Sequence, residues 1–239
     1  MNTRIAVIGV GGKGMRLGKF DVQKCLIPIE GKPIVEYVIE GLHACGIKLI
    51  ILLSGFRHDQ VAAYLSGFTL EGSTLALVYG GVEGENPAIS RLEPFLNEEF
   101  IYLGGDCIFP SSAIQKLIAF AEDRPDDVAI VAVAPHIEMA PTHPFFMVAG
   151  ERIEEVVLST NPLAAPFTAM GMYYIRPKAF RFLKMVEPGK LGSGFLEKAI
   201  EAGEAASVCF IGTPWFCIHT PEDLERWDTS EMRKLLLES

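Results

Sequence analysis

Gly9-Val10-Gly11-Gly12-Lys13-Gly14 closes a short apolar run, with Arg16 and Lys24 close behind it. Glycines let backbone N–H groups come close to phosphate oxygens, and a concave run of such groups binds anions without any side chain. Arg16 would add a bidentate guanidinium and Lys24 a point charge, so the residue types suit the grip of a polyphosphate. On these residues alone the same string also fits a tight strand-exit turn with two solvated cations. Both readings stay open at this point.

The string also satisfies the dinucleotide fingerprint G-x-G-x-x-G after a strand, yet three features argue against an NAD-dependent enzyme. That fingerprint leads directly into a helix, whereas residues 15–28 carry Gly18, Phe20-Asp21 and Pro28 with no apolar helical stripe. It also needs an acid at the end of the next strand for the ribose hydroxyls, and residues 47–53 run into Ser54-Gly55 instead. Arg16, just past the loop, suits a triphosphate better than a dinucleotide. A P-loop is excluded, because Met15 and Arg16 follow Gly14 where Lys and Ser or Thr are required.

The elements that must hold these residues alternate in type. Residues 5–10, 47–53, 74–79, 100–103 and 128–134 read as strands, and 33–45, 59–65 and 111–122 as helices. Their apolar runs are continuous, which implies strands covered on both faces by helices. The second half is less regular: short antiparallel strands at 145–148 and 153–158 flank the Gly150 turn, with a strand at 170–175. Helices at 177–186 and 194–202 and a last core strand at 207–211 follow. Thr220-Pro221-Glu222-Asp223 is a helix start, with a hydroxyl cap, then proline, then acids in the first turn. That helix carries residues 224–227, and a final amphipathic helix covers 231–237. The pattern predicts an α/β fold, a Rossmann-like three-layer sandwich around a mixed, mostly parallel sheet.

The bulk numbers narrow the class. The chain of 239 residues is short enough to form a single domain over residues 1–239. No apolar run approaches the ~18 residues of a membrane span. The N-terminus has no small-residue cleavage site after its apolar block, so a strand is expected there rather than a signal peptide. Net charge is −9, and no cluster of Lys and Arg exceeds two, which argues against a nucleic-acid partner. The cysteines Cys25, Cys45, Cys107, Cys209 and Cys217 are odd in number, and the expectation is reduced thiols in a cytoplasmic protein.

Gly12-Lys13-Gly14-Met15-Arg16-Leu17-Gly18, followed by Lys24-Cys25-Leu26-Ile27-Pro28-Ile29-Glu30-Gly31-Lys32-Pro33, resembles the opening signature of the sugar-1-phosphate nucleotidyltransferases, G-x-G-x-R-[LM] and then P-K-x-L-x-P-[IV]-x-G-K-P. Leu103-Gly104-Gly105-Asp106 resembles the family's strand-end G-D, Gly171-Met172-Tyr173-Tyr174-Ile175 its G-[IM]-Y strand, and Glu197 a glutamate near the sugar. Residues 215–224, from Trp215 through Thr220-Pro221-Glu222-Asp223, resemble the closing W-x-D-I-G-T-P-E-D. The likeness runs in the family's order over residues 4–228, and the first and last motifs are the specific ones.

The resemblance implies transfer of a nucleoside monophosphate from a nucleoside triphosphate (NTP) to a sugar 1-phosphate or a similar phosphorylated alcohol. Pyrophosphate and a nucleoside-diphosphate (NDP) sugar are the products. It places Arg16 on the β- and γ-phosphates and Lys24 on the α-phosphate or the incoming sugar phosphate. Val10, Gly11, Gly12, Gly14 and Gly105 would meet the nucleotide, Gly171 and Glu197 the sugar, and Asp106 would hold Mg²⁺, a hard ion that wants carboxylate oxygen. It allows a homo-oligomer.

Three departures stand against that pattern. Cys217 replaces the second metal-binding aspartate, and a thiol is a poor ligand for Mg²⁺. This keeps open a non-catalytic relative that binds a nucleotide or nucleotide sugar. Cys217 and His219 could share a strand face, but a pair is too few ligands for a closed soft-metal site. Leu158-Ser159-Thr160-Asn161-Pro162 replaces the family's E-K-P segment and its lysine, and residues 81–88 shorten the stretch beside the base. His43, His58, His136 and His143 read as solvated, and Phe180 and Leu183 as helix packing.

Overall fold

The computed structural model describes residues 4–18, 21–135, 144–157, 167–188, 193–212 and 214–238. From the N-terminus run β1 (Ile5–Gly9), β2 (Pro28–Ile29), β3 (Lys32–Pro33), α1 (Ile34–Ala44), β4 (Leu49–Ser54), α2 (His58–Ser66) and β5 (Thr74–Tyr79). Then come α3 (Glu85–Ser90), β6 (Phe100–Gly104), β7 (Cys107–Ile108), α4 (Ser111–Glu122), β8 (Ala129–Pro135), β9 (Phe145–Ala149) and β10 (Arg152–Val157). The chain finishes with β11 (Phe167–Ile175), α5 (Phe180–Leu183), α6 (Gly194–Glu201), β12 (Ala206–Phe210), β13 (Phe216–Cys217), α7 (Pro221–Trp227) and α8 (Glu231–Glu238). The α/β class and the mixed sheet are as the pattern predicts. His136, His143 and residues 158–162 lie outside the described residues.

Backbone proximity groups the chain into two units. One takes its described residues from 4–82, 103–115 and 214–238, the other from 83–102 and 116–212. In the first unit β4 lies between β1 and β5, all parallel, with Ile5 opposite Leu49 and Leu49 opposite Thr74. Ala6, Val7 and Ile8 are fully buried, which is why β1 shows a continuous run instead of alternation. On α1 the buried residues Ile34, Val35, Val38, Ile39 and Leu42 recur at helical spacing, and Gly46 follows its end at φ +80°.

A second apolar cluster in this unit holds the ends of the chain's motifs together. Leu17, Ile27, Ile29, Ile34, Ile108, Phe216, Ile218, Trp227 and Met232 pack as one buried group. Each such side chain contributes roughly 1.5–3 kcal/mol when fully buried. The N-terminus of α7 is closed by a capping box: Asp223 N–H donates to Thr220 Oγ1, and Thr220 N–H donates to Asp223 Oδ2. Trp227 Nε1 donates to Glu30 Oε1 at 3.2 Å, and its ring meets Phe216 edge-on.

In the other unit β8 is antiparallel to β11 and parallel to β12, while β10 is antiparallel to both β12 and β9. The predicted hairpin around Gly150 is β9–β10. Several elements differ from the sequence expectation: the pattern does not predict β2, β3, β7, β13 or α3, and the helix expected at 177–186 is confined to Phe180–Leu183 after a 3-10 turn at Pro177–Ala179. A helix, α3, forms in the shortened stretch because Pro87 falls in its first turn, where a missing N–H leaves no bond unmade. In the first unit, β2 and β3 form a hairpin whose Glu30 and Gly31 both take positive φ, as a type I′ turn requires.

Candidate active site

The glycine loop is held by backbone bonds on both sides. Val10 N–H donates to Leu53 O at 2.9 Å, Phe56 N–H to Gly11 O at 3.2 Å, and Gly105 N–H to Gly9 O at 3.0 Å. A Cβ on Gly11 would lie 2.9 Å from Gly55 N, and one on Gly105 would lie 2.6 Å from Val10 Cγ1. These two glycines are therefore demanded by close packing inside the protein. Around Gly12 a Cβ would meet nothing within 4 Å, so Gly12 faces open space. Gly14 takes φ +60° and leads into a single 3-10 turn, Met15–Leu17, that carries the exposed Arg16. Among the described residues no α-helix directly follows the loop, in keeping with the argument against a dinucleotide fold.

Gln23 is the residue that sequence reasoning missed. It is buried, and its carboxamide Nε2 donates to Val10 O at 2.5 Å, to Gly12 O at 3.1 Å and to Phe56 O at 3.2 Å. Gln23 thus satisfies the loop carbonyls of Val10 and Gly12 from inside the protein. Its signal was present in the sequence: Gln23-Lys24 stands where the opening signature has Pro-Lys.

Lys24 meets Asp106 in an ion pair, and the aliphatic stem of Lys24 packs on the loop, where a Cβ on Gly14 would lie 3.4 Å from Lys24 Cβ. His219 Nδ1 lies 3.2 Å from Lys24 Nζ and 3.5 Å from Asp106 Oδ2. Burial alone would raise the carboxyl pKa of Asp106. The Lys24 charge and the His219 hydrogen bond outweigh burial and hold the group well below the usual carboxylate range. Asp106 is thus an anion at neutral pH, with an ammonium beside it. The thiol of Cys25 is pushed up to about 12, chiefly by burial, so it is no nucleophile.

The expectation of reduced cysteines is corrected at one pair. Cys107 and Cys217 are joined by a disulfide, while Cys25, Cys45 and Cys209 are free. The reason is register: β7 and β13 pair antiparallel with Cys107 directly opposite Cys217, and Ile218 N–H donates to Asp106 O at 3.0 Å. A sequence separation of 110 residues hides that juxtaposition from any local pattern. His43 and His58 are half-buried, not solvated, and each Nδ1 meets a serine hydroxyl, Ser73 at 2.9 Å and Ser54 at 2.6 Å.

The structure therefore brings together the glycine loop, Arg16's turn, Lys24, Asp106, Gly105 and the closing strand within one unit. Gly171 and Glu197 belong to the other unit. Gly171 takes φ +78° where the β11–β8 register shifts between Ala169 and Tyr173, and Glu197 is exposed in the first turn of α6. Among the described residues, no helix is long and apolar enough to cross a membrane.

Residues 6–159, more than half of the chain, match the MobA-like NTP transferase domain. The chain belongs to that family. Relatives of this NTP transferase domain include the bifunctional protein GlmU of Methanococcus maripaludis, 26% identical over 88% of this chain and 52% of the relative. A putative UTP–glucose-1-phosphate uridylyltransferase of Methanocaldococcus jannaschii is 26% identical over 79% of this chain and 78% of the relative. The chain thus spans about half the length of the bifunctional relatives it matches. Among solved structures, a UDP-glucose pyrophosphorylase complexed with UDP-glucose superposes with TM-score 0.81 at 18% identity, covering 97% of this chain and 99% of that one. The inositol-1-phosphate CTP transferase from T. maritima gives TM-score 0.78 at 23% identity, covering 93% and 92%. The nucleotidyltransferase resemblance read from the motifs is borne out.

Proposed function

We propose that this NTP transferase domain transfers a nucleoside monophosphate from an NTP to a sugar 1-phosphate or a similar phosphorylated alcohol, releasing pyrophosphate and forming an NDP-sugar. The observation that carries this reading is the Lys24–Asp106 pair set against the glycine loop. An oxygen of the sugar phosphate attacks the α-phosphorus, and pyrophosphate leaves with the bonding electrons. The attacking phosphate is already anionic at neutral pH, so no general base is needed. Alignment and charge stabilisation dominate such a step.

In this reading the N–H groups of Gly11, Gly12 and Gly14 cradle the triphosphate, and Arg16 holds the β- and γ-phosphates as negative charge moves onto the leaving group. Val10 and Gly105 act by fixing the loop, since their own N–H groups are engaged inside the protein. Lys24, beside Asp106 and His219, also reaches a phosphate oxygen. The ionised carboxylate of Asp106 fits Mg²⁺, which is commonly held by one or two carboxylates plus substrate phosphates. Mg²⁺ bound there would supply neutralising charge. The sugar assignment of Gly171 and Glu197 rests on the motif resemblance, and the cytoplasm is the proposed compartment. Pyrophosphate release across a panel of triphosphates and sugar 1-phosphates, with Mg²⁺ or Mn²⁺, tests the reading. Silence across the whole panel rules it out.

One observation favours a second reading. Cys217, in place of an aspartate, is engaged with Cys107 and offers the site no second carboxylate. A non-catalytic relative would give a nucleotide-induced thermal shift without turnover. Turnover by the native chain would overturn it, whereas activity gained only in Cys217→Asp would support it.

A further inference from the structure

The nucleotidyl-transfer reading places no substrate contact on Cys107, Cys217 or His219, yet the fold gathers their donor atoms. Cys107 Sγ, Cys217 Sγ and a ring nitrogen of His219 all lie within 4.8 Å of one another. Strand pairing sets the two sulfurs together. His219 lies two residues beyond Cys217, just past the end of β13, and the β7–β13 register sets Cys107 opposite Cys217. The sequence offered a pair of ligands; the structure supplies the third. Two sulfurs and an imidazole nitrogen form a soft donor set, and three protein ligands with one open position is a recurring zinc arrangement.

We propose that Cys107, Cys217 and His219, once the disulfide is reduced, bind one soft divalent ion of the zinc class. In a reducing compartment the pair is a dithiol. Reduction breaks the S–S bond with two electrons from a thiol or phosphine, and two protons complete the thiols. The ion then displaces both protons and is held by two thiolates and neutral imidazole. Asp106 borders this donor set, with Oδ1 3.6 Å from Cys107 Sγ and Oδ2 3.5 Å from His219 Nδ1. The Lys24 ammonium, 3.2 Å from His219 Nδ1, opposes the ion by charge, so Lys24→Met tightens binding. The proposal stands apart from nucleotidyl transfer, and its readout is metal binding, not turnover.

The test is a Co²⁺ titration of the full chain, reduced with a phosphine and freed of it without air. A thiolate-to-cobalt charge-transfer band should saturate at one ion per chain and vanish on adding Zn²⁺. Cys107→Ser and Cys217→Ser should abolish the band, His219→Ala should weaken and shift it, and Cys45→Ser should keep it. Should a serine variant fail to fold, alkylation of the reduced native chain gives the same decision, because Zn²⁺ should shield Cys107 and Cys217 from iodoacetamide. The proposal is overturned by a reduced native chain without the band, by a Cys217→Ser variant that keeps it, or by Zn²⁺ that leaves both cysteines open to alkylation.

Discussion

The glycine loop and the closing strand meet at Asp106 but are held by different means. The loop is fixed by backbone hydrogen bonds, by glycines that permit close approach and by one buried carboxamide, Gln23. The closing strand is fixed by a two-residue pairing, a disulfide and the apolar cluster beneath Phe216, Ile218 and Trp227. The difference teaches that a phosphate grip needs a rigid backbone, since its donors are backbone groups. A strand that only presents side chains can be secured by packing and a cross-link.

That contrast is sharpened first at Lys24, which both regions touch through Asp106 and His219. Lys24→Met should lower the rate of pyrophosphate release by ~10²–10³-fold in steady-state assays, the usual loss when one stabilising donor is removed. It also leaves Asp106 without its countercharge, so the Lys24→Met/Asp106→Asn double variant should melt higher than Lys24→Met alone.

The closing strand is broken next. Reduction of Cys107–Cys217, or the Cys107→Ser/Cys217→Ser double variant, should lower stability by about 2–4 kcal/mol in urea unfolding, because a long loop of the unfolded chain is set free. A midpoint unmoved by reduction would show that packing alone holds β7 to β13.

Effects in the loop should be smaller and strictly local. Gly11→Ala drives a methyl against Gly55 N and should cost about 1–3 kcal/mol, whereas Gly12→Ala, facing open space, should melt like the native chain. Gln23→Ala leaves the carbonyls of Val10 and Gly12 without their buried donor and should also cost about 1–3 kcal/mol. If the loop is the triphosphate grip, it should raise KM for the triphosphate as well.

The smallest effect is in pH. The Asp106 carboxyl is held below its unfolded value, so the stability it contributes is full above the unfolded pKa and is lost as pH falls through the folded one. The stability gap between the native chain and Asp106→Asn should be flat above about pH 5 and should shrink below about pH 4. A gap that grew in acid would mean Asp106 is not held as an anion.

What lies close along the chain was legible in advance. The Thr220 cap with its first-turn acids and the helix that became α1 depend on neighbours a few residues apart. Amino-acid order alone therefore determined the loop, the caps, the α/β class and, through ordered motifs, the family. Only the tertiary structure decided that Gln23 reaches back to Val10, that His219 stands beside Lys24 and Asp106, and that Cys107 faces Cys217. Those contacts join residues as many as 195 positions apart, and strand register sets them. Register is chosen by the packing of whole faces, so no short stretch of sequence carries it.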